Sequence, residues 1–441
     1  MNSIYKQEFI NQIFEKFNQD SISYGILRNY KNLPELSGDD IDIYLDNGQL
    51  VDFVHGYLAR FLSGLGWSYK LKYDSEYFVS VVCYSVNNNS IETLQLDFFN
   101  DFVWRGISYL DIQFIKGTIG TYKQYKVVSP GAELAITYVK EILGYKLLRQ
   151  KHHKRFEEMY PLHSDDFART ILPAYRKNVG GLIAGLSGDA DDDHFKFSLR
   201  VIKRSLISKN FVTYISSSLM SIVHLFSKIF RKKQLIVFIG PDGSGKSTLI
   251  DNYKIALDRF FPDSITTFHR RYQILPDLKT NRGFSSMKGK IKAGENVKIK
   301  RSFISIFFTL TIVFYYTFEF ILGNYILFKN KFNGRLVLFD RYYFDHFIQP
   351  TSRNLIFPLR KLLLAFVAKP MLIVHLKASS AEIYKRKKDL PENEIAIQNT
   401  YIEMVTKGYD NVLQLDSVEM NEKELAVNLF YKTIDDLVFY K

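Results

Sequence analysis

The sequence predicts an α/β protein: a C-terminal doubly wound parallel sheet preceded by an N-terminal α+β region with a helical tail. Three observations carry this. From Gln234 onward, short apolar runs alternate with helix-length segments, the pattern of parallel βαβ units. At the head of that half, a glycine-rich loop joins the apolar run Leu235–Ile239 to a helical stretch, Thr248–Arg259. Before residue 130 the pattern differs, with short β-like runs separated by turns and one helix.

A chain of 441 residues exceeds one ordinary domain. We read four segments: an α+β domain over 1–125, a helical tail over 126–205, an amphipathic linker helix over 206–233 and the parallel-sheet domain over 234–441. Hydrophobic residues at 46% and charged residues at 24% fit folded globular cores. Residues 3–20 carry Ile4, Phe9, Ile10, Ile13, Phe14 and Phe17 at helical spacing. The runs Ser23–Leu27, Asp40–Leu45, Phe78–Tyr84 and Glu92–Phe98 read as strands, with a helix at about Val51–Gly64. Asn87-Asn88-Asn89 is a turn signal that makes the last two strands a hairpin. Gly188–His194 is acidic but lacks the closing glutamate of a calcium loop, and reads as a solvated loop. In the C-terminal half, Leu336–Phe339, Met371–Leu376 and Val412–Leu415 are the further strands after Leu235–Ile239, which is apolar throughout as a central parallel strand should be.

The net charge of +13 is unevenly placed: residues 1–200 hold about 22 basic against about 25 acidic residues, and residues 201–441 about 37 against about 21. A basic half suits phosphate-rich ligands, nucleic acid or an anionic membrane surface, or simply solubility. No aromatic–basic nucleic-acid motif accompanies it, so nucleic acid is not an expected partner. The single cysteine, Cys83, allows no disulfide within the chain and no cysteine-based zinc site, in keeping with a reducing cytoplasm. The N-terminus lacks a basic stretch followed by an apolar run, so no secretory signal is expected.

Phe303–Phe328 is long and apolar enough to span a bilayer. A single crossing would put the glycine-rich loop and Asp340 on opposite sides, so a buried or membrane-surface helix is expected instead of a span. Phe211–Phe230, followed by Arg231-Lys232-Lys233, is amphipathic; an interfacial helix and an ordinary packed helix are both open.

Gly240-Pro241-Asp242-Gly243-Ser244-Gly245-Lys246-Ser247-Thr248 matches the phosphate-binding pattern GxxxxGK[ST] in its required strand–loop–helix setting. Glycines let backbone N–H groups wrap a phosphate, and the helix N-terminus adds positive potential. Lys246 can reach the β- and γ-phosphates of ATP, and Ser247 can place its hydroxyl on Mg²⁺. A second signal is the apolar strand that delivers Asp340 and Arg341 to its C-terminal end, where ligands bind in open α/β sheets. A carboxylate there can join the Mg²⁺ shell or take the acceptor's proton, and an arginine can clamp a phosphate bidentately. The third is Tyr384-Lys385-Arg386-Lys387-Lys388, whose cations can close over transferring phosphates.

These three signals, in this order, resemble the thymidylate kinase family of P-loop kinases over roughly residues 234–440. The resemblance implies Lys246 and Ser247 at the ATP phosphates, Asp340 and Arg341 on the acceptor side and Arg386 in a lid. The chain departs from that family in the long aromatic insert before Asp340 and in the FDHFIQPTSRN stretch after it. It looks closer to the thymidylate-kinase-like proteins of bacterial surface-polysaccharide loci, which share the DRYYFD form. His269, Arg270 and Arg271 follow an expected second strand and are grouped with the acceptor pocket.

In the N-terminal half, Asp40 and Asp42 lie two apart on one strand face and Asp97 lies on a later strand. Three such carboxylates can hold one or two Mg²⁺ ions for nucleotidyl transfer, or simply end solvated strands. Residues 5–115 resemble the nucleotidyltransferase fold, with Ile26-Leu27-Arg28-Asn29 where that family has Gly-Gly or Gly-Ser. Arg28 grips a phosphate instead, or the site is inactive. The expected function is ATP- and Mg²⁺-dependent phosphoryl transfer to a glycan or lipid-linked sugar in envelope polysaccharide assembly, on the cytoplasmic side and in possible peripheral contact with the membrane. A nucleoside monophosphate (dTMP) kinase and a nucleotide-dependent switch or defence module are the rival readings.

Overall fold

The computed structural model describes residues 4–35, 40–87, 90–145, 150–171, 173, 192–230, 234–258, 260–276, 303–349, 353–386, 388, 390–417 and 420–437. The chain forms two compact units, one of Met1–Ser85 with Glu92–Ser227 and one of Val86–Ile91 with Lys228–Lys441.

The first unit opens with α1 (Ile4–Gln19), then β1 (Tyr24–Ile26) and β2 (Asp40–Leu45). The helix expected after β2 is present as α2 (Leu50–Asp52), which runs through a π-helical turn at Phe53–Leu58 into α3 (Ala59–Gly64). There follow β3 (Ser68–Asp74), β4 (Phe78–Asn87), β5 (Ser90–Phe99), the short β6 (Val103–Trp104) and β7 (Ile107–Ser108), α4 (Ile112–Gly117), β8 (Gly120–Tyr122) and β9 (Tyr125–Val127). The region expected as a helical tail holds α5 (Pro130–Tyr145), α6 (Gln150–Thr170) and α7 (Asp192–Lys209), and the expected linker helix is α8 (Phe211–Phe230), which starts after α7 ends at Lys209.

Seven strands form one mixed sheet in the order β3-β4-β5-β2-β1-β9-β8. β4 and β5 are neighbours, as the asparagine turn implied, although Asn88 and Asn89 themselves lie outside the described residues. One core contains the apolar stripe of α1 (Phe9, Ile10, Ile13, Phe14, Phe17) with Trp67; Phe9 stacks on Trp67 with ring centroids 3.7 Å apart. A separate core joins Leu27 and Tyr44 to α5 and α6. Alternation along β2 explains why one strand feeds both: Ile43 enters the first core and Tyr44 the second. The acidic stretch read as a loop over 188–194 is helical from Asp192, where two aspartates favour a helix N-terminus.

The second unit begins with β10 (Leu235–Ile239) and α9 (Lys246–Leu257), then β11 (Ile265–His269), α10 (Phe303–Phe332) and β12 (Leu336–Asp340). After these come α11 (Asp345–Ile348), α12 (Arg353–Ile356), α13 (Arg360–Ala365), β13 (Leu372–Lys377), α14 (Ser380–Arg386), α15 (Glu392–Thr406), β14 (Val412–Asp416) and α16 (Glu422–Thr433). The five strands are ordered β11-β12-β10-β13-β14, and every pair is parallel. The chain leaves β10 for one side of the sheet and returns to its other side at β13. That reversal opens a crevice at the C-terminal strand ends.

The long apolar segment is α10. Its stretch Thr309–Phe332 would suffice by length and composition to cross a membrane, with one third of its most apolar window buried. It packs one face on the second unit. Val313, Phe320 and Leu327 enter the core; Phe320 meets the rings of Tyr272, Tyr342 and Tyr343 at 5.1–5.3 Å, and Thr317 Oγ1 lies 2.6 Å from Tyr343 Oη. Glu319, fully buried, accepts from Arg271 Nη1 at 2.9 Å and from the Ile274 amide at 2.9 Å.

Gly323 sits flat against Tyr272: a Cβ there would lie 2.2 Å from two ring carbons. Tyr272 is itself packed against Phe268 and Phe339. Gly323→Ala therefore overpacks the contact, and the net effect is a loss of about 1–3 kcal/mol in urea unfolding. This is despite the roughly 1 kcal/mol by which alanine favours helix. An unchanged or raised midpoint would show that α10 is not docked on Tyr272.

Candidate functional site

The crevice at the strand ends is a cleft of about 750 Å³. Its floor is the loop after β10. A Cβ on Gly240 would come within 2.8 Å of the Leu376 carbonyl oxygen and of Ser244 Oγ, so only glycine fits between β10 and β13. Gly243 and Gly245 both have φ of 91°, a left-handed conformation that lets the loop curl before α9 starts. Lys246, 4% exposed, folds back over the loop. Its Nζ donates to the carbonyls of Gly240 at 2.8 Å and Pro241 at 2.6 Å. Ser247 and Thr248 follow on the first turn of α9 with exposed side chains.

β12 brings Asp340 to the rim. Its Oδ2 lies 2.9 Å from His269 Nδ1, at the end of neighbouring β11. Its Oδ1 is buried without a hydrogen-bonding partner. Arg341 has φ of 72°, its amide donates to Phe238 O at 3.0 Å, and its guanidinium pairs with Asp242 across the cleft. Arg270, at the end of β11, is also left-handed with φ of 63°, and its amide donates to Asp340 O at 2.7 Å. Two arginines on adjacent strand ends are thus held in a conformation that costs about 1–3 kcal/mol each, a kind of strain that clusters at functional sites.

Arg386, at the end of α14, donates through Nη2 to Ser417 O at 3.1 Å. Of the residues the sequence singled out, Asp242, Gly243, Gly245, Lys246, Ser247, Thr248, Asp340, Arg341 and Arg386 all line the cleft, together with His269. Gly240 and Ser244 shape the loop beneath it. Arg271, grouped by sequence with His269 and Arg270, is turned instead onto Glu319. Ser417, Met420, Asn421 and Glu422 also line the cleft and were not anticipated. Their one sequence signal is the capping box of Asn421 and Glu424, which starts a helix facing the cleft.

The first unit holds a separate polar centre. β2 and β5 run parallel with Asp42 opposite Asp97. Asp40, Asp42 and Asp97 present carboxylate oxygens within 4.8 Å of one another. Arg28 caps them, pairing with Asp42 and lying 3.4 Å from Asp40 Oδ2. Asp97 Oδ1 accepts from Ser80 Oγ at 2.6 Å and from Gln95 Nε2 at 2.9 Å. Burial pushes the Asp42 and Asp97 carboxyls up; Arg28 opposes this at Asp42 and Ser80 opposes it at Asp97. An all-carboxylate set suits a hard divalent cation, and the guanidinium supplies the positive charge such an ion would bring.

Close by in charge terms, Glu133 in the first turn of α5 pairs with Arg155 and feels Arg28. Burial pushes its carboxyl up to about 7, against the pull of both arginines. A raised carboxyl binds its proton more tightly in the folded chain. Its contribution is therefore fully present below pH 4.5 and is lost as pH rises from about 4.5 to about 7, by about 3 kcal/mol. Glu133→Gln should flatten the fall in the urea midpoint of the first unit between pH 5 and pH 7.5. An equal fall in both proteins would remove Glu133 as its source.

The sequence matches no protein-family model and no curated protein. Among solved structures, a thymidylate kinase from Ehrlichia chaffeensis is 13% identical, covering 46% of this chain and 100% of that one with a TM-score of 0.30. The protein JHP933 from Helicobacter pylori is 11% identical, covering 51% and 97% with a TM-score of 0.27. A proposed nucleotidyltransferase from H. pylori is 10% identical, covering 49% and 96% with a TM-score of 0.25. All three likenesses are too distant for an argument to rest on them.

Proposed function

We propose that the second unit is an ATP- and Mg²⁺-dependent phosphotransferase. The observation that carries this reading is the convergence of Lys246, Ser247, Asp340, Arg341 and Arg386 on one cleft at the C-terminal ends of a parallel sheet. In this reading the loop amides and the N-terminus of α9 receive the β- and γ-phosphates. Lys246 exchanges the Gly240 and Pro241 carbonyls for phosphate oxygens, a short swing of a side chain already aimed at the loop. The Ser247 hydroxyl and the unpartnered Asp340 Oδ1 are the donors that would hold Mg²⁺, which supplies charge neutralisation across the phosphates. Arg341, released from Asp242, and Arg386 take up charge on the transferring group. A bond forms between the acceptor oxygen and the γ-phosphorus, the bond to the β,γ-bridging oxygen breaks, ADP leaves, and the acceptor's proton passes to solvent.

The acceptor proposed is a glycan or lipid-linked sugar of bacterial envelope polysaccharide assembly, phosphorylated on the cytoplasmic side. It rests on the DRYYFD form and the aromatic segment before it. Transfer of labelled γ-phosphate to a lipid-linked glycan extract and to a panel of nucleoside monophosphates tests both levels. We expect label in the glycan fraction, reduced about 10²–10³-fold in Lys246→Ala. Label in dTMP alone would make the protein a nucleoside monophosphate kinase. Bound ATP with no transfer to any acceptor would replace the enzyme with a nucleotide-dependent switch.

For the first unit, the closeness of the three carboxylates supports a divalent-metal centre of nucleotidyltransferase type. Mn²⁺ binding followed by electron paramagnetic resonance should show a site that weakens at least tenfold in Asp97→Asn. A site of unchanged affinity in that variant would leave the three acids as the polar partners of Arg28.

A further inference from the structure

Both faces of α10 are mainly apolar, but they differ in partners. Val313, Thr317, Phe320, Gly323 and Leu327 face the unit's interior. On the other side Phe307, Phe314, Phe318, Ile321, Leu322, Tyr325 and Phe328 are exposed, with Phe307 at 70%, Phe318 at 53% and Tyr325 at 72%. At 100° per residue these seven fall within an arc of about 120°, and they run along the helix for about 32 Å. A second row extends the surface. Leu359, Leu362 and Phe366 are exposed at helical spacing around α13, and Asn324 Nδ2 of α10 donates to Phe366 O at 3.3 Å, which joins the two rows. Exposed Lys329 and Arg335 lie at or beyond the C-terminal end of α10, and exposed Lys361 and Lys369 accompany the α13 row. A contiguous apolar surface of this length on a folded unit marks an interaction site.

We propose that this outward face of α10, with the α13 row beside it, docks flat on an anionic lipid bilayer. The chemistry points to lipid over a second copy of the chain. An aromatic stripe with cations at its end is what an interfacial helix presents to headgroups. Lys329, Arg335, Lys361 and Lys369 meet opposite charge on an anionic leaflet, whereas two copies joined through this face would bring four cations against four. A crossing is excluded by the other face: it would strip Phe320 from its aromatic cage and carry the Glu319–Arg271 pair into hydrocarbon. The proposal is independent of phosphoryl transfer, because no residue of the cleft takes part.

Co-sedimentation of the full chain with vesicles tests it. Vesicles of 70% phosphatidylcholine and 30% phosphatidylglycerol should bind the protein, pure phosphatidylcholine should bind it at least tenfold less, and carbonate at high pH should release it. Phe318→Glu with Tyr325→Glu should lower partitioning at least tenfold, as should Phe366→Glu on the neighbouring helix. Both change exposed positions, and an unchanged far-ultraviolet circular dichroism spectrum and urea midpoint serve as the check that they fold. No vesicle binding by the natural protein, equal binding by both variants, or retention after carbonate would each overturn the proposal. So would a dimer in sedimentation that Phe318→Glu with Tyr325→Glu converts to monomers while vesicles bind neither form.

Discussion

Phe320 is the contact on which the second unit depends. Its ring is held among Tyr272, Phe339, Tyr342 and Tyr343. Two of these residues directly follow Asp340 and Arg341 in sequence. The aromatic segment before β12 therefore acts as a buttress. It fixes the strand end that presents the carboxylate and the arginine to the cleft, through contacts made on the far side of the same few residues. Because the cage is made of closely packed rings, three of them edge to face with Phe320, a small change in ring position is transmitted instead of absorbed. This is why an apolar helix with no residue in the cleft still governs where Asp340 sits. The same docking fixes which side of α10 faces outward.

Paired charge is the second constraint. In each unit, arginines pair with carboxylates: Arg271 and Arg28 hold Glu319 and Asp42, which would otherwise be costly to bury, and Arg341 holds the half-exposed Asp242. The Glu319 pair is structural, because both partners are enclosed and the glutamate also caps the Ile274 amide. The Arg341–Asp242 pair differs, since both residues line the cleft and an incoming anion can compete for the guanidinium. The same distinction orders the first unit. Arg28 neutralises the β2 acids in the way a cation would.

Much of this was legible in the sequence, for stated physical reasons. The loop after β10 is constrained by three glycines that each answer to a close approach or a left-handed turn, so its spacing survives as a pattern. β10 is apolar throughout and β12 is apolar up to its last residue, Asp340, because both faces are covered; β10 has the expected bounds and β12 runs one residue further. The alternation of β2 gave the Asp40–Asp42 face directly, and the register with β5 then brought Asp97 opposite Asp42. What escaped notice lacks such constraints. β3, β8 and β9 mix lysines, tyrosines and glycines at the sheet margins, where one face is wet and alternation is blurred. The cleft residues Ser417, Met420, Asn421 and Glu422 reach the site only through the order of strands, which places β14 beside β13. Arg271 was grouped with its neighbours because adjacency in sequence does not show that its partner, Glu319, lies across a helix.

That glutamate also explains why composition alone could not say what α10 does. A helix apolar on every side is read as a span or as a buried core helix, and a single acidic residue within it reads as a blemish on either account. Glu319 is instead a marker of the inward face: it lies between Thr317 and Phe320, both of which point to the sheet. Projecting the helix from that fixed direction separates the residues that hold the fold from those that do not. The outward set is still phenylalanine, isoleucine, leucine and tyrosine. Folding of this unit does not require them to be apolar, so the requirement must come from what meets that face.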